Sequence, residues 1–157
     1  MTSYLIAGPG EEPVSRAEAK AFCRIDGTDE DALVEALIAA ARLHVEGLTG
    51  RALVAQTWRL VLHRPPPVVA LPVLPVAELV AAPDGAVLEG EYVRLAAAPE
   101  TLTLDYVAGY GAAADVPADL KQAVLTLVAH WYEHRDAVTV APLGFDRLVA
   151  NYRRARL

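Results

Sequence analysis

The sequence predicts an α+β domain, mainly helical: a small helical bundle with an antiparallel β region inserted between its second and third helices. Three observations predict it. Apolar residues recur at helical spacing over 29–48 and again over 117–136, and they alternate with period two over 56–62. Between 65 and 111 the apolar runs are short and repeatedly cut by proline and glycine. The predicted helices are 16–23, 29–48, 117–136 and 144–154, the β region spans 52–108, and residues 1–157 form a single domain. A chain of this length buries roughly 68–70% of its unfolded surface and needs no disulfide or metal to hold it.

Taken in order, residues 1–14 have no periodic apolar pattern and contain Gly8-Pro9-Gly10, so they read as a flexible N-terminal arm with room for a short extended piece. In PVSRAEAKAFCRI, Ser15 and Glu18 have capping-box spacing, and Ala17, Ala21, Phe22 and Ile25 lie toward one side. Gly27 ends that helix or marks the turn after it. In the next helix Thr28 or Asp29 caps the start, and Glu30 and Asp31 suit the positive end of the dipole. Leu33, Leu37, Ala40, His44 and Leu48 form one stripe, and Val34, Ile38, Ala41 and Val45 form a second beside it. So wide an apolar face predicts partners on two sides. Gly50 is the terminator.

The period then changes. Gln56, Trp58, Leu60 and Leu62 alternate with Thr57, Arg59, Val61 and His63, which predicts a strand stopped by Pro65-Pro66-Pro67. Further β-prone runs follow at 68–71, 77–81, 87–88, 91–95 and 101–107, with a turn at Pro83-Asp84-Gly85 and at least one hairpin. Gly109 and Gly111 flank Tyr110. Without a third glycine and an immediate helix they make a turn and not a phosphate loop. Pro117 suits the first position of the third helix, whose stripe is Leu120, Val124, Leu127 and Trp131, widened by Ala123, Val128 and Tyr132. Phe145, Leu148, Val149 and Tyr152 mark a shorter final helix within the C-terminal segment 140–157.

Composition narrows the function. The formal net charge of −6 argues against a protein that grips nucleic acid through phosphate contacts. The single cysteine, Cys23, forms no internal disulfide and fits a reducing compartment. There is no signal-peptide pattern at the start, and the most apolar stretch, 68–82, is broken by Pro72, Pro75 and Glu78. The expectation is a soluble protein made in the cytoplasm, with no membrane partner. Charge is unevenly spread: Asp26, Asp29, Glu30, Asp31 and Glu35 crowd the first third, and Arg147, Arg153, Arg154 and Arg156 crowd the end. These are either two solvated faces or the complementary ends of a polarised subunit, and head-to-tail contacts of the second kind close into rings.

One motif carries possible chemistry. His130-Trp131-Tyr132-Glu133-His134 has the H-x-x-E-H spacing of inverted zinc peptidases, with two histidines one helical turn apart and a glutamate placed to act as a base. A catalytic zinc needs three protein ligands and an open position. No glutamate follows Glu133, only Asp136 and Asp146 remain, and His130 lies beside an apolar stripe, where a histidine is more often a packed core residue. A small zinc-dependent hydrolase is the alternative reading. Cys23 reads as a small buried hydrophobe, and serine occurs only at Ser3 and Ser15, outside any nucleophile elbow. No catalytic, cofactor-binding or metal-binding set is expected.

Two blocks of sequence act together. The first runs from Pro13-Val14 through Glu18-Ala19-Lys20 and Asp29–Asp31 to Glu46-Gly47-Leu48-Thr49-Gly50-Arg51 and Gln56-Thr57-Trp58. The second joins Tyr106-Val107-Ala108-Gly109-Tyr110-Gly111, then Val116-Pro117-Ala118-Asp119-Leu120-Lys121-Gln122-Ala123, then Ala129-His130-Trp131-Tyr132-Glu133-His134-Arg135. In order and spacing they resemble the tailed-phage head–tail connector family, also called adaptor or head-completion proteins, which includes adaptors of phage-like gene transfer agents. The resemblance covers about residues 13–156 and accounts for HWYEH without zinc, because the second histidine position is often Asn in that family.

The resemblance implies a structural virion part and not an enzyme: a subunit, assembled in the host cytoplasm, of a ring of about twelve copies at the head–tail junction. Such a ring sits below the portal protein, extends the DNA channel and meets a stopper or tail-completion protein. An acidic wall would let DNA pass without specific binding. Aromatic and arginine residues are favoured interface anchors, so Phe145, Leu148, Tyr152, Arg153, Arg154 and Arg156 are the expected portal-docking set. For Phe145 and Leu148 the alternative is the subunit's own core, and for the arginines a solvated tail. Asp29, Glu30, Asp31 and Glu35 are the expected subunit-interface residues.

Overall fold

The structure is a computed structural model that describes residues 1–134 and 141–153. Its elements are β1 (Thr2–Ala7), α1 (Arg16–Cys23), α2 (Asp31–Thr49), β2 (Gln56–His63), β3 (Val68–Ala70), β4 (Val76–Ala81), β5 (Val87–Glu89), β6 (Tyr92–Arg94), β7 (Thr101–Ala108), α3 (Ala118–Glu133) and α4 (Phe145–Val149). The strands form two antiparallel sheets, one ordered β1-β2-β7-β4 and the other β3-β6-β5.

The expectation of a mainly helical bundle is corrected to a mixed α+β fold with two cores. The helical core joins Val34, Ile38, Ala41 and Val45 of α2 to Leu120, Ala123, Val124, Leu127 and Val128 of α3. The second core joins Leu60 of β2 to Leu102, Leu104, Tyr106 and Ala108 of β7, with Val69 and Val93 from the smaller sheet and Leu71 just after β3. The β region is thus a body with its own interior. Period two is clear in β7, where alternate residues are buried, but three of the strands have only three residues, too few for a sequence period to register.

The N-terminal stretch is tied to the larger sheet. Residues 2–7 pair with β2 from Thr2↔Val61 to Ala7↔Thr57, so the short extended piece allowed for within the arm is an edge strand of the sheet. Six residues that alternate weakly give little sequence signal, and the pairing partner lies some fifty residues away, so the strand is set by tertiary contact.

Helix ends follow local chemistry. At α1 the Glu18 amide donates to Ser15 Oγ at 3.1 Å and the Ser15 amide donates to Glu18 Oε2 at 2.6 Å, a complete capping box. The helix closes at Arg24, with φ of 56°, before Gly27 is reached. α2 begins two residues later than expected: Glu30 holds the cap position without a side-chain cap. Its end at Gly50, φ 65°, is as expected. Pro117 sits at the cap of α3 and not inside it, and α3 stops at Glu133 with His134 as its C-cap. The expected continuation to 136 lies outside the described residues. α4 is shorter than 144–154, gives way to a 3₁₀ turn at Ala150–Tyr152, and its expected last residue, Arg154, is outside the described residues.

The expected turns are present. Pro83-Asp84-Gly85 closes with the Ala86 amide donating to Pro83 O, and β5 and β6 form a two-residue hairpin at Gly90-Glu91. Gly109 has φ of 129°, and a Cβ there would lie 2.5 Å from Val54 O. The Tyr110 amide donates to Leu53 O at 3.2 Å and the Ala55 amide to Gly111 O at 2.9 Å. The glycine pair therefore lets the exit of β7 lie directly against residues 53–55, joining the two cores. No described helix is long and apolar enough to cross a membrane.

Candidate assembly surfaces

The HWYEH segment ends α3, and its side chains tie that helix to α2. Trp131 meets the edge of His44 with ring centroids 5.8 Å apart, and the Tyr132 hydroxyl donates to the Glu30 carboxylate. His130 and His134 lie ring on ring, 4.7 Å between centroids, and His134 Nδ1 is 3.1 Å from His130 O. His130 Nε2 is buried with no hydrogen-bond partner among the described residues, so the one satisfied bond expected of a core histidine is not made by this nitrogen. Among the described residues no group of three His, Cys, Asp or Glu side chains converges to hold a metal ion. The zinc-hydrolase alternative gains no support from this geometry, and Asp136 lies outside the described residues. Cys23 is half-buried against the helical core, and burial, with Glu133 nearby, pushes its thiol pKa up.

The acidic residues at the start of α2 are largely engaged within the subunit. Asp31 pairs with Lys20 at 2.6 Å and with Arg16 at 3.5 Å, and Arg16 also reaches Glu35 at 2.8 Å. The Lys20 hydrogen bond holds the Asp31 carboxyl below its usual range. Lys20 Nζ also donates to Gly27 O. Of the four acidic residues expected at a subunit interface, Asp31, Glu30 and Glu35 thus clamp α1 and α3 onto α2, and Asp29 is left exposed.

The C-terminal residues also divide. Phe145 is 1% exposed, packs near His44 at 6.0 Å, and with Val149 belongs to the helical core. It anchors α4 and presents almost no surface, in line with the subunit-core alternative weighed for it in the sequence. Leu148 is half-buried against the same core. The Tyr152 hydroxyl donates to Asp119 Oδ1 at 2.7 Å, and its ring lies 5.5 Å from the Arg51 guanidinium. Burial and the Asp119 charge push the Tyr152 pKa up to about 12. Arg153 pairs with Asp146 at 2.5 Å and is exposed. Arg154 and Arg156 lie outside the described residues.

Sequence reasoning missed a polar network at the C-terminal end of α2. Arg42 Nε donates to Glu12 at 2.7 Å and Arg42 Nη1 to Glu46 at 2.9 Å. Glu46 also accepts from the Leu53 amide at 2.9 Å and from Gln56 Nε2 at 2.7 Å. Burial opposes the charge on Arg42, but Glu12 and Glu46 together raise its pKa, whereas burial dominates at Glu46 and pushes its carboxyl up. Arg42 and Glu46 are four apart, as in any surface helix pair, so nothing in their spacing signals that the segments at 12 and 53–56 fold over them. Beside this network lies a groove of about 430 Å³ lined by α2, β1 and Trp58 of β2.

Comparison with known proteins adds to this geometry. Residues 17–82 match the family described as phage gp6-like head-tail connector protein. Three solved chains match the whole fold, each covering 100% of this chain with 97% of its own length. One is from the neck of an empty gene transfer agent particle computed with C6 symmetry, at 26% identity and a TM-score of 0.84. A second is from the virion of the native gene transfer agent particle, at 27% identity and 0.84. The third is from the neck of the native particle computed with C12 symmetry, at 27% identity and 0.75. No curated protein matches the sequence.

Proposed function

We propose that this chain, similar in sequence to the phage head–tail connectors and in fold to a gene transfer agent neck protein, is the structural adaptor of a tailed phage or phage-like gene transfer agent, working at the head–tail junction of the particle. The observation that carries the reading is the match of the full chain, at a TM-score of 0.84, to a chain of a gene transfer agent neck. The fold fits the role. Both cores are closed within the subunit, and the conspicuous charges mostly hold elements together.

In this reading copies of the chain form a ring, twelve in number as in the C12 neck, with the portal protein on one side and a stopper or tail-completion protein on the other. DNA passes through the ring, and the net charge of −6 favours a wall that does not hold phosphates. Docking on the portal falls to the C-terminal segment: the exposed Arg153 with Leu148 and Tyr152, and with Arg154 and Arg156 of the sequence, which lie outside the described residues, while Phe145 anchors α4 from inside. Asp29 is the acidic residue at the start of α2 best placed to meet a neighbour.

Removing the chain from a particle-producing strain tests the function. Filled heads and separate tails that fail to join, rescued by the wild-type chain, are expected. Normally joined particles without it would refute the reading.

A further inference from the structure

The outer face of α2 and the free edge of β1 form one apolar surface that none of the described residues covers. Ala32, Ala36, Ala40, Leu43 and Gly47 recur every three or four residues along α2 and are all exposed, Leu43 at 59%. Apart from Ala40 this line of small and apolar residues lies outside the two stripes noted in the sequence, whose Val34, Ile38, Ala41 and Val45 face the subunit's own core. At its end this exposed line opens into the 430 Å³ groove, whose far wall is Leu5, Gly8 and Pro9. Trp58 also lines the groove, and its Nε1 has no hydrogen-bond partner among the described residues.

Beyond the groove runs β1. It is an edge strand with no charged residue and no proline, its one register break lies near its end between Leu5 and Ala7, and Tyr4, Leu5 and Ile6 are 45%, 46% and 46% exposed. Soluble proteins guard such edges with charge, proline or bulges, because an open apolar edge is a template for association. The opposite edge, β4, carries Glu78 and two register breaks, and exposes Val80 at 58%.

We infer that this face is the seat of the neighbouring copy of the chain in the assembled ring, and that the neighbour presents its β4 flank to it. The inference rests on the connector reading and deepens it. A cyclic ring needs two different patches on opposite sides of each subunit. The sheet order β1-β2-β7-β4 puts the apolar edge and the β4 edge at opposite ends of one rigid sheet. A twelve-fold neck containing a chain of this fold supplies the second copy as occupant. The small residues on α2 allow close backbone approach, and Leu43 is the side chain that would be buried.

Leu43→Glu and Val80→Glu test it, on the portal ring from the same genome. Both residues face solvent in the isolated subunit, so both variants should keep the wild-type melting temperature and circular dichroism. Wild-type protein should fill the portal cooperatively into complete rings seen by electron microscopy. Each variant should bind only as scattered copies, with half-saturation raised by about tenfold or more, the equivalent of one unpaired charge buried at the contact. Complete rings from either variant, with or without loss of stopper binding, would overturn the inference. Wild-type protein that never bound the portal would overturn the connector reading itself, and the inference with it.

Discussion

Removing the Glu46 carboxylate should expose how much of the fold hangs on one buried junction. In the Glu46→Ala variant the amide of Leu53, a fully buried residue, loses its acceptor at 2.9 Å, and Gln56 Nε2 loses its acceptor at 2.7 Å. Arg42 loses one of two carboxylates but keeps Glu12 at 2.7 Å. An orphaned buried donor costs about 1–3 kcal/mol. With the Gln56 amide and the weakened Arg42 pair added, the loss is about 2–5 kcal/mol.

Glu46→Gln keeps an oxygen for Leu53 and Gln56 and turns an amide toward Arg42, so it should cost less than Glu46→Ala. The pH dependence separates the two effects. Burial raises the Glu46 pKa in the folded chain, so the folded state binds that proton more tightly than the unfolded state. The wild type therefore loses this contribution as pH rises from the ordinary carboxylate value through the raised one, whereas the amide of the Glu46→Gln variant does not titrate. Urea unfolding of both proteins from about pH 4 to 7 should show the gap between them narrowing as pH rises. A Glu46→Ala loss below about 1 kcal/mol, or a gap that widens with pH, would refute the reasoning.

Other expectations follow from the same geometry. Phe145→Ala should cost about 3–5 kcal/mol in global unfolding, or less if α4 detaches alone, in which case hydrogen exchange should speed up in α4 and not in α3. Gly109→Ala should cost more than about 2 kcal/mol by thermal melting, since the new methyl would meet Val54 O at a φ of 129°. Asp31, Asp105 and Glu18 have carboxyl pKa values lowered by Lys20, Arg59 and the Ser15 amide respectively. Their stabilisation is present above the ordinary carboxylate range and should be lost as pH falls through the lowered values, which acid titration of the melting temperature will show.

The helices were legible because each carries its own evidence. Ser15 and Glu18 cap each other across three residues, Gly50 ends α2, and the Val34-Ile38-Ala41-Val45 stripe lies in the core. The long strands β2 and β7 were legible for the same reason. What escaped was set by distant contact. β1 takes its conformation from β2, and Glu46 becomes buried only when the segments at 12 and 53–56 close over it.

The candidate surfaces were only half legible. Aromatic and charged residues were visible in the sequence, but not whether they face in or out. Phe145 faces in, and Asp31 and Glu35 spend their charge on Arg16 and Lys20. The exposed line of α2 was not legible as a surface: of Ala32, Ala36, Ala40, Leu43 and Gly47 only Ala40 belongs to the stripes seen in the sequence, and which side turns outward depends on where α3 packs. HWYEH shows the risk of a short motif: its spacing suits zinc, whereas its side chains meet His44 and Glu30.

The most direct measurement is native mass spectrometry of the purified chain mixed with the portal ring from the same genome. The account predicts about one bound chain per portal subunit, filled cooperatively, with no stoichiometric zinc adduct. A chain that stays free of the portal and carries one zinc, lost in His134→Ala, would contradict it.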